Sequence, residues 1–412
     1  MTILRARVLN PKSATAAEYI EDARVVIEDG RLTSVGPYDG SPGAIDLRPG
    51  LLVPGFVDAH VHFPQTRVVG SASGPLLEWL SATAFPEEER FSEPAFAQRV
   101  ARVFSASLAA AGTTGAFVYG SVHTASAEAL FDALRARGLR ARVGPVLMDE
   151  HVPEPLAMAA DPALDALDRL REHACDRVSL AVIPRFALVC SMSLMRRAGD
   201  FASEHGLWVS THLSENPAEC QVATERFSAP DYLSIYEQAG LVHDRSVYAH
   251  CIHLSDDEWD RMAKAGAVVA HCPDSNDFLG SGGMPVEAVR ARSMPVALGS
   301  DIAAGRSFRI PRMASSAYDN GLRQGVSIPL ETLFWWATRG GAQALGWQDT
   351  GALEPGLAAD MVLVDLPPWA EDRASVLHAL LFDQDRPAPR RTWAAGEVVW
   401  DRPSMRHPWA LW

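Results

Sequence analysis

Apolar residues recur along this chain in two rhythms, and the alternation of those rhythms predicts its architecture. Short runs of strand type include Ala116-Phe117-Val118-Tyr119, Arg142-Val143-Gly144-Pro145-Val146-Leu147, Ser179-Leu180-Ala181-Val182-Ile183, Trp208-Val209-Ser210 and Ala267-Val268-Val269-Ala270. Between such runs lie stretches with helical periodicity, clear at 96–111, 126–137 and 164–173. The first rhythm predicts buried strands and the second amphipathic helices. Sustained over this length, strand–helix alternation predicts an α/β fold, a (β/α)8 barrel of TIM type rather than an open sheet. No Gly-rich fingerprint opens a helix after the first strand, which argues against a dinucleotide-binding fold.

The two ends follow a different pattern. Near the start, Arg24-Val25-Val26-Ile27 runs into Glu28-Asp29-Gly30-Arg31, and Asp-Gly between β-branched runs is a strong hairpin signal. Near the end, Asp360-Met361-Val362-Leu363-Val364-Asp365 and Thr392-Trp393-Ala394-Ala395-Gly396-Glu397-Val398-Val399 repeat the style. Residues 1–53 and 351–412, the latter with a C-terminal tail, are therefore expected to form one small β-sandwich domain. The barrel, 54–350, is inserted between its halves.

With 412 residues, 48% of them apolar, the chain can fill one large barrel core and a smaller second one. A formal net charge of −14 argues against a nucleic-acid partner, which needs a basic patch. Five scattered cysteines without C-x-x-C spacing (Cys175, Cys190, Cys220, Cys251 and Cys272) suit buried thiols in a reducing compartment. The N-terminus soon turns polar, and no apolar stretch reaches membrane-spanning length. The expectation is a soluble cytoplasmic protein with no membrane partner, acting on a small molecule.

Four strand-like segments end in groups that a divalent metal accepts: Val57-Asp58-Ala59-His60-Val61-His62, Val209-Ser210-Thr211-His212, Val247-Tyr248-Ala249-His250 and Val296-Ala297-Leu298-Gly299-Ser300-Asp301. A parallel barrel gathers the C-terminal ends of its strands at one face, where residues distant in sequence meet. His60 and His62, two apart, project to the same side of an extended strand. Mixed imidazole and carboxylate ligands suit zinc, and an open position would make the site catalytic. Asp301 would bind the metal and accept the proton of water, and His250 would orient that water. Glu215, three residues past His212, would act as a general acid toward a ring nitrogen and the leaving amine. That role requires a raised pKa.

Pro54-Gly55-Phe56-Val57-Asp58-Ala59-His60-Val61-His62 resembles the opening motif of the amidohydrolase superfamily. Several segments resemble the guanine deaminase-like branch in particular: His62-Phe63-Pro64-Gln65, Pro75-Leu76-Leu77-Glu78-Trp79-Leu80, Pro184-Arg185-Phe186, Thr211-His212-Leu213-Ser214-Glu215-Asn216, Ala249-His250-Cys251-Ile252-His253-Leu254 and Gly299-Ser300-Asp301-Ile302. The resemblance implies one zinc ion per subunit held by His60, His62, His212 and Asp301. It casts Glu215 and His250 as the proton-handling pair, with Asp301 also catalytic. Gln65, Arg185 and the Phe186 backbone would read the ring, beside His212 and Glu215. A homodimer is implied as well. The expected reaction is hydrolytic release of ammonia from guanine or a related amino-substituted purine or pterin-like heterocycle. The alternative is hydrolysis of another amidine or of a halogenated or amino triazine.

The chain departs from that branch at Glu150-His151, at Asp274 and in the loop after Asp301 that carries Arg306 and Arg309. Either these arginines contact an acidic part of the substrate, or they balance Glu150 and Asp274 in the pocket wall.

Overall fold

The computed structural model describes residues 1–71 and 74–412. It opens with four strands, β1 (Thr2–Ser13), β2 (Ala16–Glu28), β3 (Arg31–Pro37) and β4 (Ile45–Pro54). Nine short strands follow: β5 (Phe56–His62), β6 (Thr113–Tyr119), β7 (Arg140–Gly144), β8 (Val146–Leu147), β9 (Val178–Pro184), β10 (Trp208–Leu213), β11 (Ser246–His250), β12 (Val268–His271) and β13 (Val296–Leu298). The chain closes with β14 (Met361–Val364), β15 (Arg391–Ala394) and β16 (Glu397–Asp401).

The middle group is parallel throughout and ordered β5-β6-β7-β9-β10-β11-β12-β13, with β8 paired to β9. The Asp301 N–H donates to His60 O at 2.8 Å and joins the two end strands into a barrel. Every residue of β5 and β6 is buried, as expected when both faces of a parallel strand are covered. The run from Arg142 to Leu147, read as one strand, is divided into β7 and β8 at Pro145, which has no N–H to give a ladder. The three periodic stretches form helices Pro94–Ala111, Thr124–Arg137 and Ala160–Arg171. Among the described residues no helix is long and apolar enough to cross a membrane.

The chain ends share one sheet, ordered β16-β15-β14-β4-β1-β2-β3. It curls until its extremes meet: Gly396 N–H donates to Ala359 O, and Ala359 N–H donates to Gly30 O. A second core of Leu4, Val25, Leu32, Leu52, Met361 and Trp393 fills the fold, so the sheet works as a small sandwich. Only Gly55 separates β4 from β5, and a Cβ there would lie 1.9 Å from Thr114 Oγ1. The sandwich therefore feeds the barrel without slack, and β5 enters with its two histidines in a set register.

Candidate active site

The C-terminal ends of β5, β10, β11 and β13 converge. His62 Nε2 lies 3.2 Å from both His60 Nε2 and His212 Nε2. Asp301 Oδ1 lies 3.3 Å from His60 Nε2 and 3.5 Å from His62 Nε2. His60, His62 and Asp301 are buried, while His212 is half-buried and borders a cavity. Backbone strain gathers here, with φ of 71° at His250, 46° at Asp301 and 51° at Ser214, all left-handed without being glycine. Gly299 is needed for close approach, since a Cβ would lie 2.8 Å from both Cys272 Sγ and His60 Cβ.

This donor set fits a divalent metal. A tetrahedral ion with ligands at about 2.05 Å separates its donor atoms by about 3.3 Å, close to the spacings found. Burial pulls His60 below the usual imidazole range, and burial plus neighbouring imidazoles pull His62 and His212 well below it. All three therefore present lone pairs. The His212 ring sits with Nδ1 2.6 Å from Arg185 O, so Nδ1 carries the proton and Nε2 is free to bind. Burial would raise Asp301, but His60, His250 and His62 outweigh it and hold the carboxyl well below the carboxylate range. Cys272 also lies near. Burial drives its thiol well above the usual value, so it is a protonated wall group, while imidazoles and carboxylate are the better donors.

Beside the donors stand His250 and Glu215, the expected proton-handling pair. His250 Nε2 is 3.4 Å from Glu215 Oε2 and 3.9 Å from Asp301 Oδ2. His250 Nδ1 donates to Asn276 Oδ1 at 2.8 Å, which leaves Nε2 facing the two carboxylates. Burial pulls His250 down, yet Glu215, Asp301 and Asn276 together raise it above its ordinary value. Glu215 is buried, and burial pushes its carboxyl up to about 7. It is not a solvated helix-start residue. Asn216 caps helix Pro217–Phe227 in a capping box with Glu219, and Glu219 also accepts from the Glu215 N–H. Ser281 Oγ donates to Glu215 Oε1 at 3.3 Å, and Ser281 O meets His253 Nε2 at 2.8 Å.

A cavity opens over this pair. Gln65, on the turn after β5, and Arg185 with Phe186, directly after β9, line it together with His62, His212, Glu215, His250 and Asp301. The apolar wall includes Leu76, Trp79 and Leu80, from the segment beginning at Pro75. Sequence reasoning missed Glu88. It is buried, ion-paired with Arg185 and an acceptor for Gln65 Nε2 at 2.9 Å. Its only signal was an acid run, Glu87-Glu88-Glu89, ordinarily a solvated helix face. The part played by Asn276, which orients His250, also escaped.

Arg306 and Arg309 do not line the cavity. Arg306 Nη2 pairs with Asp274 Oδ1 at 2.6 Å, and Arg312 approaches the same buried carboxylate. Arg309 donates to the carbonyls of Gln384, Arg386 and Pro387. Glu150 pairs with Arg226 instead of either loop arginine.

Known proteins resemble this chain over most of its length. The profile of the amidohydrolase family matches residues 51–399. Guanine deaminase of Escherichia coli strain K12 is 34% identical over 423 residues, spanning 95% of this chain and 94% of that protein. A probable guanine deaminase of Deinococcus radiodurans is 36% identical over 374 residues, with 87% and 85% covered. Among solved structures, guanine deaminase from C. acetobutylicum with bound guanine in the active site superposes with a TM-score of 0.91. It is 28% identical and covers 97% of this chain and 100% of that one.

Proposed function

We propose that this chain, which belongs to the amidohydrolase family, is a zinc-dependent aminohydrolase that releases ammonia from guanine. It is a hydrolase acting on a C–N bond of a cyclic amidine. The observation that carries the reading is one cavity bordered by the metal-type donors His62, His212 and Asp301, by His250 with Glu215, and by Gln65 with Arg185. One zinc ion would be held by His60, His62, His212 and Asp301, and it supplies the Lewis acidity that makes water nucleophilic near neutral pH.

The protein's own groups do the rest. Arg185 offers a planar donor fork to a ring acceptor, and Gln65 offers an amide with a donor and an acceptor. The Phe186 backbone completes the ring-reading edge. With a carboxyl raised to about 7, Glu215 is protonated at neutral pH often enough to give its proton to a ring nitrogen. That transfer makes the amino-bearing carbon electrophilic. His250 orients the attacking water and takes a share of its charge through Nε2, and Asp301 accepts a proton from it. Glu215, left as a carboxylate, takes a proton from the hydroxyl now on that carbon and gives it to the leaving amine; ammonia departs as the carbonyl forms, and the proton held by Asp301 returns to Glu215.

Family likeness supports a homodimer, which light scattering on the purified protein tests. An ammonia-release screen over guanine, isoguanine, pterins, cytosine derivatives and triazines tests the activity. Release from guanine is the expected result, and a zinc-loaded protein that leaves guanine intact would refute the reading.

A further inference from the structure

We propose that Glu88 is a positioning residue that tunes the cavity for neutral heterocycles over anionic ones, an inference that rests on the aminohydrolase reading. Glu88 belongs to the short helix Phe85–Glu89, outside the strand ends that carry the chemistry. Its carboxylate is shared between the two ring-reading side chains. One oxygen, Oε2, faces Arg185 Nη1, and the other, Oε1, accepts from Gln65 Nε2 at 2.9 Å. The Arg185 and Glu88 side chains are 2% and 1% exposed. The adjacent Glu87 serves elsewhere, pairing with Arg67 and Arg90.

Two consequences follow from this geometry. A carboxylate only accepts, so Gln65 must turn its amide N–H toward Glu88. The Gln65 oxygen is fixed from the other side, accepting from the Ala303 N–H at 3.1 Å. The amide is thus locked, leaving one N–H and one lone pair free for a ligand. The second consequence concerns charge. A guanidinium buried without a counter-charge is costly and recruits an anion to offset it. Glu88 fills that role permanently, so Arg185 keeps hydrogen-bond donors to spare while its charge is already met. The cavity therefore reads a neutral carbonyl or ring nitrogen and gains little from a negatively charged ring.

The test is calorimetric titration of zinc-loaded wild type, E88Q and E88D with two purines that lack the reacting amine. Hypoxanthine supplies a neutral ring, and urate supplies a monoanion at neutral pH. Zinc content and circular dichroism are recorded on the same samples. Wild type should bind hypoxanthine more tightly than urate, and E88Q should reduce that preference roughly tenfold. E88D keeps the charge on a shorter arm, so it should weaken both ligands while preserving the preference. An unchanged preference in folded, zinc-loaded E88Q overturns the proposal, as does a preference lost equally in E88D. A wild type that prefers urate, or binds neither purine, overturns it too. If E88Q does not fold, E88D decides: preference kept with both ligands weakened supports the role, and preference lost refutes it. Ammonia release from guanine by wild type is measured separately. Its absence defeats the aminohydrolase reading, while the binding ratio still decides the part played by Glu88.

Discussion

Replacing Asn276 with Ala tests whether the orientation of His250 controls turnover. Both residues are buried, and the His250 Nδ1–H donates to Asn276 Oδ1 at 2.8 Å. In the Ala variant that N–H has no acceptor. A buried donor left unpaired costs about 1–3 kcal/mol. The ring escapes the cost by moving its proton to Nε2 or by rotating, and either change spoils the atom that faces Glu215 and Asp301. At about 1.36 kcal/mol per decade, the same interval corresponds to a loss of roughly 5- to 150-fold in kcat. Among the described residues the Asn276 side chain hydrogen-bonds to none of His60, His62, His212, Asp301, Gln65 and Arg185, so zinc content and KM should stay near wild type. Ammonia release under saturating guanine gives kcat, and urea denaturation gives stability. N276D retains an acceptor for Nδ1–H and should recover kcat to within about tenfold of wild type. A folded, zinc-loaded N276A with wild-type kcat would refute the reasoning, because His250 would then need no fixed orientation.

Three further outcomes are expected. Glu215→Gln should keep zinc, measured by atomic absorption, and lose about 10²–10⁴ in kcat. The Glu215 carboxyl is raised to about 7, so its acid form prevails below that pH and kcat should fall as pH rises through it; an unaltered alkaline limb in E215Q would remove the assignment. Trp79 lines the cavity with a buried indole N–H that has no partner among the described residues, so W79F should raise KM about fivefold, equal to roughly 1 kcal/mol, with kcat little changed; an unchanged KM would mean that the indole donates nothing to the ring. Arg306→Ala leaves buried Asp274 with Arg312 as its remaining cation, and should cost about 1–3 kcal/mol in urea denaturation. Its kcat/KM on guanine, pterins and acidic analogues should match wild type, and a selective loss on acidic analogues would restore a substrate role for this loop.

The barrel was legible because parallel strands covered on both faces write themselves as unbroken apolar runs, as in Val268-Val269-Ala270. His60, His62, His212, His250 and Asp301 were legible for a related reason: each ends such a run, and barrel topology sends those ends to one face. Pro145 also carried its own signal, since a residue without an N–H interrupts a ladder wherever it stands. Glu88 carried none. In sequence it is the middle of three glutamates, and helix geometry sends Glu87 and Glu88 to different partners. Arg306 was equally mute, because its choice between substrate and Asp274 depends on how the loop after Asp301 folds back.

The sequence by itself determined the alternation of strands and helices, the β character of both ends and the donor types at the strand ends, since local periodicity and side-chain chemistry are properties of neighbouring residues. Tertiary structure alone decided the spacing of the donors, the burial that pushes Glu215 up to about 7 and the pairing of Glu88 with Arg185 and Gln65. Those properties depend on distance and on loss of solvent, and both arise only when strands far apart in the chain close into one barrel.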